Sequence, residues 1–307
     1  MLAALIHVCE IHALVSNYFE KHMTLDKENI GKAFSSLEYF RKHAVSPHHE
    51  RYIFPFLSGT YFAYRRIDTI RVARIANSLS DNPSYIDVGC GYGDFLKKIR
   101  EFIPNAIGIE KNVEIFYEYA INKPDFINSW DAKWGIDQRY DVIFVGWMEP
   151  GVDFRDAVAA KTDVIITTLD QGISLAAEFD GHGYDRVATW RTPSWEDVNI
   201  EIMNRYYTKI SDDTFQKLHS LRGAHNLWYV YCNKSSKKSE NIKSALSKCI
   251  KNEMALSSEG YDFETVLNEC GFGYMEKLER WNQKTEKEQE KDIILWKIEF
   301  DDGQNYI

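Results

Sequence analysis

The sequence has no excess of positive charge, no long uninterrupted apolar run and no paired cysteine motif, and each absence removes a class of protein. Its 307 residues carry 37 Lys and Arg against 46 Asp and Glu, a formal net charge of −9, which argues against nucleic acid as a main partner. Small basic pairs such as Arg65-Arg66 and Lys237-Lys238 leave that balance unchanged. The five cysteines, at 9, 90, 232, 249 and 270, show no C-x-x-C and no zinc spacing, and their number is odd; a reduced, cytoplasmic protein with no metal site is the expectation. The stretch Met1 to Phe19 is apolar, but His7, Glu10 and His12 interrupt it. It has neither the basic start and cleavage site of a signal peptide nor the apolarity of a membrane span, so an amphipathic helix lying on the core is expected there. No internal repeat is evident.

What is present suits a large α/β core: 44% of the residues are hydrophobic and 14% aromatic. The chain is organised around Tyr85-Ile86-Asp87-Val88-Gly89-Cys90-Gly91-Tyr92-Gly93-Asp94-Phe95-Leu96, a buried strand turning through glycines into a helix. Asn82-Pro83 punctuates its start, and Phe95, Leu96, Ile99, Phe102 and Ile103 follow at helical spacing before Pro104. Gly89, Gly91 and Gly93 let the backbone turn sharply and let a ligand approach without meeting a Cβ.

Such a corner holds either a dinucleotide or a sulfonium nucleoside. A dinucleotide site wants G-x-G-x-x-G with pyrophosphate on the helix N-terminus. Here Asp94 stands where the third glycine of that fingerprint would be, and a carboxylate there favours the helix dipole but repels pyrophosphate. Asp87 adds a second negative charge beside the loop. An acidic rim suits a sulfonium and an ammonium group. On these residues the sequence resembles the class I S-adenosylmethionine-dependent methyltransferases, whose first motif has the form D-x-G-C-G-x-G.

The resemblance implies a Rossmann-like, mostly parallel sheet with helices on both faces, S-adenosyl-L-methionine as cofactor and a methyl acceptor bound beside it. Ala106-Ile107-Gly108-Ile109-Glu110 reads as a second strand ending in an acid about 20 residues past the loop, where an acid can accept both ribose hydroxyls. Glu110 inherits that role by position. After a third strand at Asp125 to Asn128, Asp131 stands where the family places an acid for the adenine amino group, with Trp130 or Trp134 against the ring and Ala132 offering its backbone amide. The cofactor set is therefore Asp87, Gly89, Cys90, Gly91, Gly93, Glu110, Asp131, Ala132 and Gly146.

Tyr140 to Gly146 is a continuous apolar run of the kind buried in a parallel sheet, and it empties into Trp147-Met148-Glu149-Pro150. Members of the family that methylate amino groups often carry an Asn or Asp followed by Pro-Pro and an aromatic here; this chain does not, which counts against a nucleobase or glutamine nitrogen as acceptor. Trp147 can hold a cation by its ring face and Glu149 can orient it, or Glu149 caps the helix starting near Asp153. Tyr61, Tyr64 and Arg65, in a helical segment before the first strand, are candidates for a cover over the substrate, or core residues. His182, in Gly181-His182-Gly183, is a candidate general base on a loop.

The expected organisation is a helical extension over residues 1–80, a cofactor-binding α/β core over 81–234, and helices with a strand pair over 235–307. Two closures of the sheet stay open: strands near Val187 and Trp228, or the last two strands of the chain, which would make 171–234 an insertion. The function implied is methyl transfer to a small molecule, with a basic peptide as the alternative acceptor and a non-catalytic cofactor-binding module as the third reading.

Overall fold

Val142-Ile143-Phe144-Val145 is apolar at every position because both of its faces are covered: all four side chains are buried. Alternation along the strand sends Val142 and Phe144 into one cluster and Ile143 and Val145 into another. The computed structural model describes residues 35, 37–44, 50–53, 64–111, 113, 117, 123–146, 148, 153–170, 178–192, 202, 207, 225–257, 297–301 and 305–306. Among them nine strands form one sheet: β1 (Tyr85–Val88), β2 (Ile107–Glu110), β3 (Ile127–Ser129), β4 (Val142–Val145), β5 (Val164–Asp170), β6 (Tyr184–Arg191), β7 (His225–Asn233), β8 (Ile298–Phe300) and β9 (Asn305–Tyr306). Their order is β3-β2-β1-β4-β5-β7-β6-β8-β9.

The first five strands pair in parallel, so their carboxyl ends share one edge. β7 then enters antiparallel between β5 and β6. This decides the closure: the strands around Val187 and Trp228 complete the sheet, and β8 is added outside β6, with Ala188 opposite Phe300. β6 and β7, within 171–234, are therefore strands of the main sheet. Of the strand pair expected within 235–307, residues 258–296 lie outside the described residues.

Helices α1 (Arg66–Leu79), α2 (Asp94–Arg100) and α4 (Ser239–Ser257) cover one face, where Val72, Ile75, Phe95, Leu96, Ile242 and Leu246 meet Tyr85, Phe144 and Ile166. On the other face the short helix α3 (Arg155–Ala159) and the turn Ala132–Trp134 bring Val158 and Ala132 against Ile86, Ile143 and Ile165. Among the described residues no helix is long and apolar enough to cross a membrane.

The N-terminus of α1 is pinned to the sheet by buried charge. Arg65 and Asp68 are both fully buried and ion-paired at 2.9 Å, and the Arg65 Nη2 also donates to the Arg191 carbonyl at the end of β6. Asp68 in addition accepts from the Arg65 backbone N–H at 2.7 Å and from Trp190 Nε1 at 3.0 Å. Trp190 stacks on Trp228, centroids 5.5 Å apart with the planes 10° from parallel, and the Arg71 guanidinium lies over the Trp190 ring, 5.5 Å from its centroid. Of the two readings the sequence left for Arg65, substrate cover or core, its full burial and its bonds to Asp68 and the Arg191 carbonyl favour the core.

Removing one member of a buried ion pair strands the other, so Asp68→Ala is expected to destabilise the protein by about 3–5 kcal/mol in urea unfolding. Replacing the pair together, Arg65→Met with Asp68→Leu, should cost clearly less than Asp68→Ala alone.

Candidate functional site

Three loops converge at the carboxyl edge of β1, β2 and β3. The loop after β1 crosses onto β2, with the N–H groups of Gly89 and Cys90 donating to the Ile109 carbonyl at 2.9 and 3.2 Å. From the other side, the Trp130 N–H donates to the Glu110 carbonyl at 3.0 Å. The Glu110 side chain turns into the glycine corner, where its Oε2 accepts from the Gly91 N–H at 3.0 Å.

The corner itself depends on left-handed backbone. Gly93 is the N-cap of α2 at φ 65°, its N–H closes a turn onto the Cys90 carbonyl at 2.8 Å, and a Cβ on it would meet Ile127 Cδ1 at 2.6 Å. A side chain there would be strained by conformation and blocked by β3. Cys90 points inward: it is buried, and burial pushes its thiol well above the ordinary value, so only its backbone is presented at the corner.

Asp87 is 3% exposed, and burial, then the charges of Asp94 and Glu110, raise its carboxyl well above the usual aspartate range. Asp131 caps the turn Ala132–Trp134 by accepting from the Lys133 N–H at 3.0 Å, and its other oxygen lies 3.9 Å from Lys111 Nζ. Ala132 is buried beneath that turn, while Trp130 and Trp134 stand out at 49% and 80% exposure. Gly146 is buried at the end of β4, and Tyr64 packs edge-on against Phe95 of α2 with centroids 5.0 Å apart.

Asp87, Gly89, Cys90, Gly91, Gly93 and Glu110 therefore share one corner, with Asp131 and Ala132 beside it across Lys111. Trp147, Glu149 and Tyr61 lie outside the described residues. His182 is not in this assembly: it sits in the turn leading into β6, pairs with Asp156 at 3.0 Å, and neighbours the amino ends of the parallel strands, since Tyr184 opposes Asn233 and Cys232 opposes Val164. Among the described residues no group of three His, Cys, Asp or Glu side chains is placed to hold a metal ion.

Two further residues shape the corner. Tyr117 donates its hydroxyl to the Tyr92 carbonyl at 2.5 Å, and the two rings meet edge-on with centroids 5.7 Å apart. Burial raises the Tyr117 hydroxyl to about 12, so it remains a donor throughout the neutral range. Gly108, inside β2, has no room for a side chain: a Cβ would meet Cys90 Sγ at 2.6 Å and Leu96 Cδ2 at 2.7 Å. An isolated glycine within a strand is a legible sign of such close approach; nothing local marks Tyr117.

Five parallel strands are closed by the antiparallel β7 and β6, with the acid-rimmed glycine corner at the carboxyl edge. The fold is Rossmann-like, a mostly parallel sheet with helices on both faces. No family model and no curated protein matches the sequence. Among solved structures, the chain is similar to a SAM-dependent methyltransferase from Archaeoglobus fulgidus, 14% identical with a TM-score of 0.36 over 55% of this chain and 95% of that one. It is also similar to an O-methyltransferase of the Brevibacillus brevis trans-AT PKS multienzyme in complex with S-adenosyl-L-homocysteine, 10% identical with a TM-score of 0.37 over 60% and 83%. Streptomyces venezuelae DesVI is 14% identical with a TM-score of 0.29; the match takes in 42% of this chain and 59% of that one.

Because the glycine loop is seated on Gly108, Gly108→Ala is expected to cost about 1–3 kcal/mol through overpacking. Adding Cys90→Ala should recover part of that loss in thermal unfolding, since it removes the sulfur the new methyl would strike.

Proposed function

We propose that the protein is a methyltransferase that binds S-adenosyl-L-methionine in the corner after β1 and transfers its methyl group to a small molecule. The observation that carries this reading is the Glu110 carboxylate, hydrogen-bonded to the Gly91 amide at 3.0 Å within a glycine-floored corner. Three carboxylates, of Asp87, Asp94 and Glu110, interact electrically there. That cluster of carboxylates suits a sulfonium and an ammonium; it repels pyrophosphate, so a dinucleotide fits poorly.

In this reading the backbone of Gly89, Cys90, Gly91 and Gly93 floors the site, Glu110 takes the ribose hydroxyls, and Asp131 with Ala132 takes the adenine edge. Gly146 borders the methyl group. When bound, the cofactor supplies an electrophilic methyl on a sulfonium with a neutral thioether as leaving group. The chain is then left with orienting an acceptor in line and excluding water, which accounts for the lack of an evident catalytic dyad. Trp147 and Glu149 are proposed to orient the acceptor, and Tyr64 and Tyr61 to cover it. The anchoring of the Arg65 end of α1 to β6, on the same face as Phe95, supports an enclosed site and hence a small acceptor. A cytoplasmic location and the absence of a nucleic-acid partner belong to the same reading, in line with the −9 charge.

Isothermal titration tests the cofactor. S-adenosylmethionine should bind and NAD should not, and Glu110→Gln should weaken binding by roughly 10- to 150-fold through loss of a charged hydrogen bond worth roughly 1.5–3 kcal/mol. Radiolabelled cofactor incubated with cell extract should pass label to the small-molecule fraction; label in protein would instead favour a peptide acceptor, and no affinity for S-adenosylmethionine would defeat the proposal.

The pH dependence follows from Asp87. In the free protein, burial first and then Asp94 and Glu110 keep its carboxyl protonated to higher pH than the ordinary value of 3.8. A bound cation favours the ionised form, so binding releases a proton. Affinity for S-adenosylmethionine should therefore rise with pH up to the raised value of the free protein, and more steeply than for S-adenosylhomocysteine, which lacks the sulfonium charge. Titrations in two buffers of different ionisation enthalpy would read the proton directly.

A further inference from the structure

At the carboxyl edge of β5 the side chains change character within one strand: Val164-Ile165-Ile166 gives way to Thr167-Thr168, and both threonines are fully buried. Valine has nearly the same shape and no polar atom, so packing alone does not call for the hydroxyls. Thr167, on the face of Ile165, has no hydrogen-bond partner for its hydroxyl among the described residues. Thr168 does: its Oγ1 donates to the Gly146 carbonyl at 2.5 Å.

That carbonyl stands at a particular place. Val145 is the last residue of β4 in register, opposite Val88 on one side and Thr167 on the other, so Gly146 is the first residue past the ladder. Its carbonyl is held by a side chain of the neighbouring strand. Two residues on, Met148 is 2% exposed and packs with Val145 and Ile165 on the opposite face. The start of the loop is thereby fastened from both faces, by a hydroxyl on one and a thioether side chain on the other.

We infer that Thr168 is a positioning residue, whose hydroxyl fixes the Gly146 carbonyl and with it the entry of the loop after β4, setting where the methyl acceptor is held against the cofactor. The inference rests on the methyltransferase reading above. Thr168 does not touch the reacting atoms; it acts through Gly146, and a misplacement of about 1 Å between reacting groups is enough to cost roughly a hundredfold in rate.

The test compares Thr168→Val and Thr168→Ser with the wild-type protein in three measurements: thermal unfolding, titration with S-adenosylmethionine, and transfer of label from radiolabelled S-adenosylmethionine to a dilution series of cell extract at saturating cofactor. The expectation is that Thr168→Val binds S-adenosylmethionine within about twofold of wild type but transfers label about tenfold or more slowly at the highest extract concentration, and that Thr168→Ser, which keeps the hydroxyl, restores most of the rate. Should Thr168→Val fail to fold, Thr168→Ala against Thr168→Ser gives the same comparison. The inference is overturned if the variant without the hydroxyl keeps the wild-type rate, if cofactor affinity falls by the same factor as the rate, or if serine restores nothing. Wild-type protein that neither binds S-adenosylmethionine nor transfers label removes the methyltransferase reading itself, whereas an active wild type with an equally active Thr168→Val removes this inference alone.

Discussion

The carboxyl end of β2 holds the site together. Ile109 and Glu110 offer their carbonyls to the loop from β1 on one side and to the chain leaving β3 on the other, and the Glu110 carboxylate reaches back to the Gly91 amide. Two connections far apart in sequence are thus tied to one strand end by main-chain hydrogen bonds. Such bonds depend little on the identity of the side chains around them, while the glycines decide whether the backbones come close enough to make them.

Beneath this edge, the face that carries α1 and α2 is filled by aromatic rings: Phe95, Phe144, Trp228 and Trp190 form a connected series, with Tyr64 at its end against Phe95. The Arg65–Asp68 pair sits inside that apolar setting and is tolerated because each charge is matched by the other and by further donors and acceptors on Trp190 and Arg191. The pair specifies where α1 begins relative to β6, and so where the chain preceding α1 meets the sheet.

Much of the parallel half was legible in the residues. The apolar runs of β1, β4 and β5 are those of strands covered on both faces, and the glycine corner with Asp87 and Glu110 at strand ends pointed to the carboxyl edge, where open α/β sheets take their ligands. Boundaries shifted by a residue or two because pairing, not apolarity, ends a strand: Tyr140 is apolar and buried but precedes β4, its N–H bonded to the Lys161 carbonyl instead of a neighbouring strand. Arg65, next to tyrosines, suited a substrate cover or the core equally well, and its bond to the Arg191 carbonyl, 126 residues away, leaves no local pattern. His182 looked mobile between two glycines, yet its place at the amino ends of the strands follows only from the antiparallel course of β6 and β7.

The sequence by itself determined the strand-glycine-helix corner, its acidic character and the acid ending the second strand, because these depend on local backbone freedom and on charges within about twenty residues of one another. Only the tertiary structure decided which strands close the sheet, that Arg65 serves the core, and that Thr168 and Tyr117 hold the backbones of Gly146 and Tyr92. Each of those is a contact between separate elements whose meeting is set by the fold, and a buried hydroxyl or guanidinium leaves no local pattern to show which main-chain carbonyl it will find.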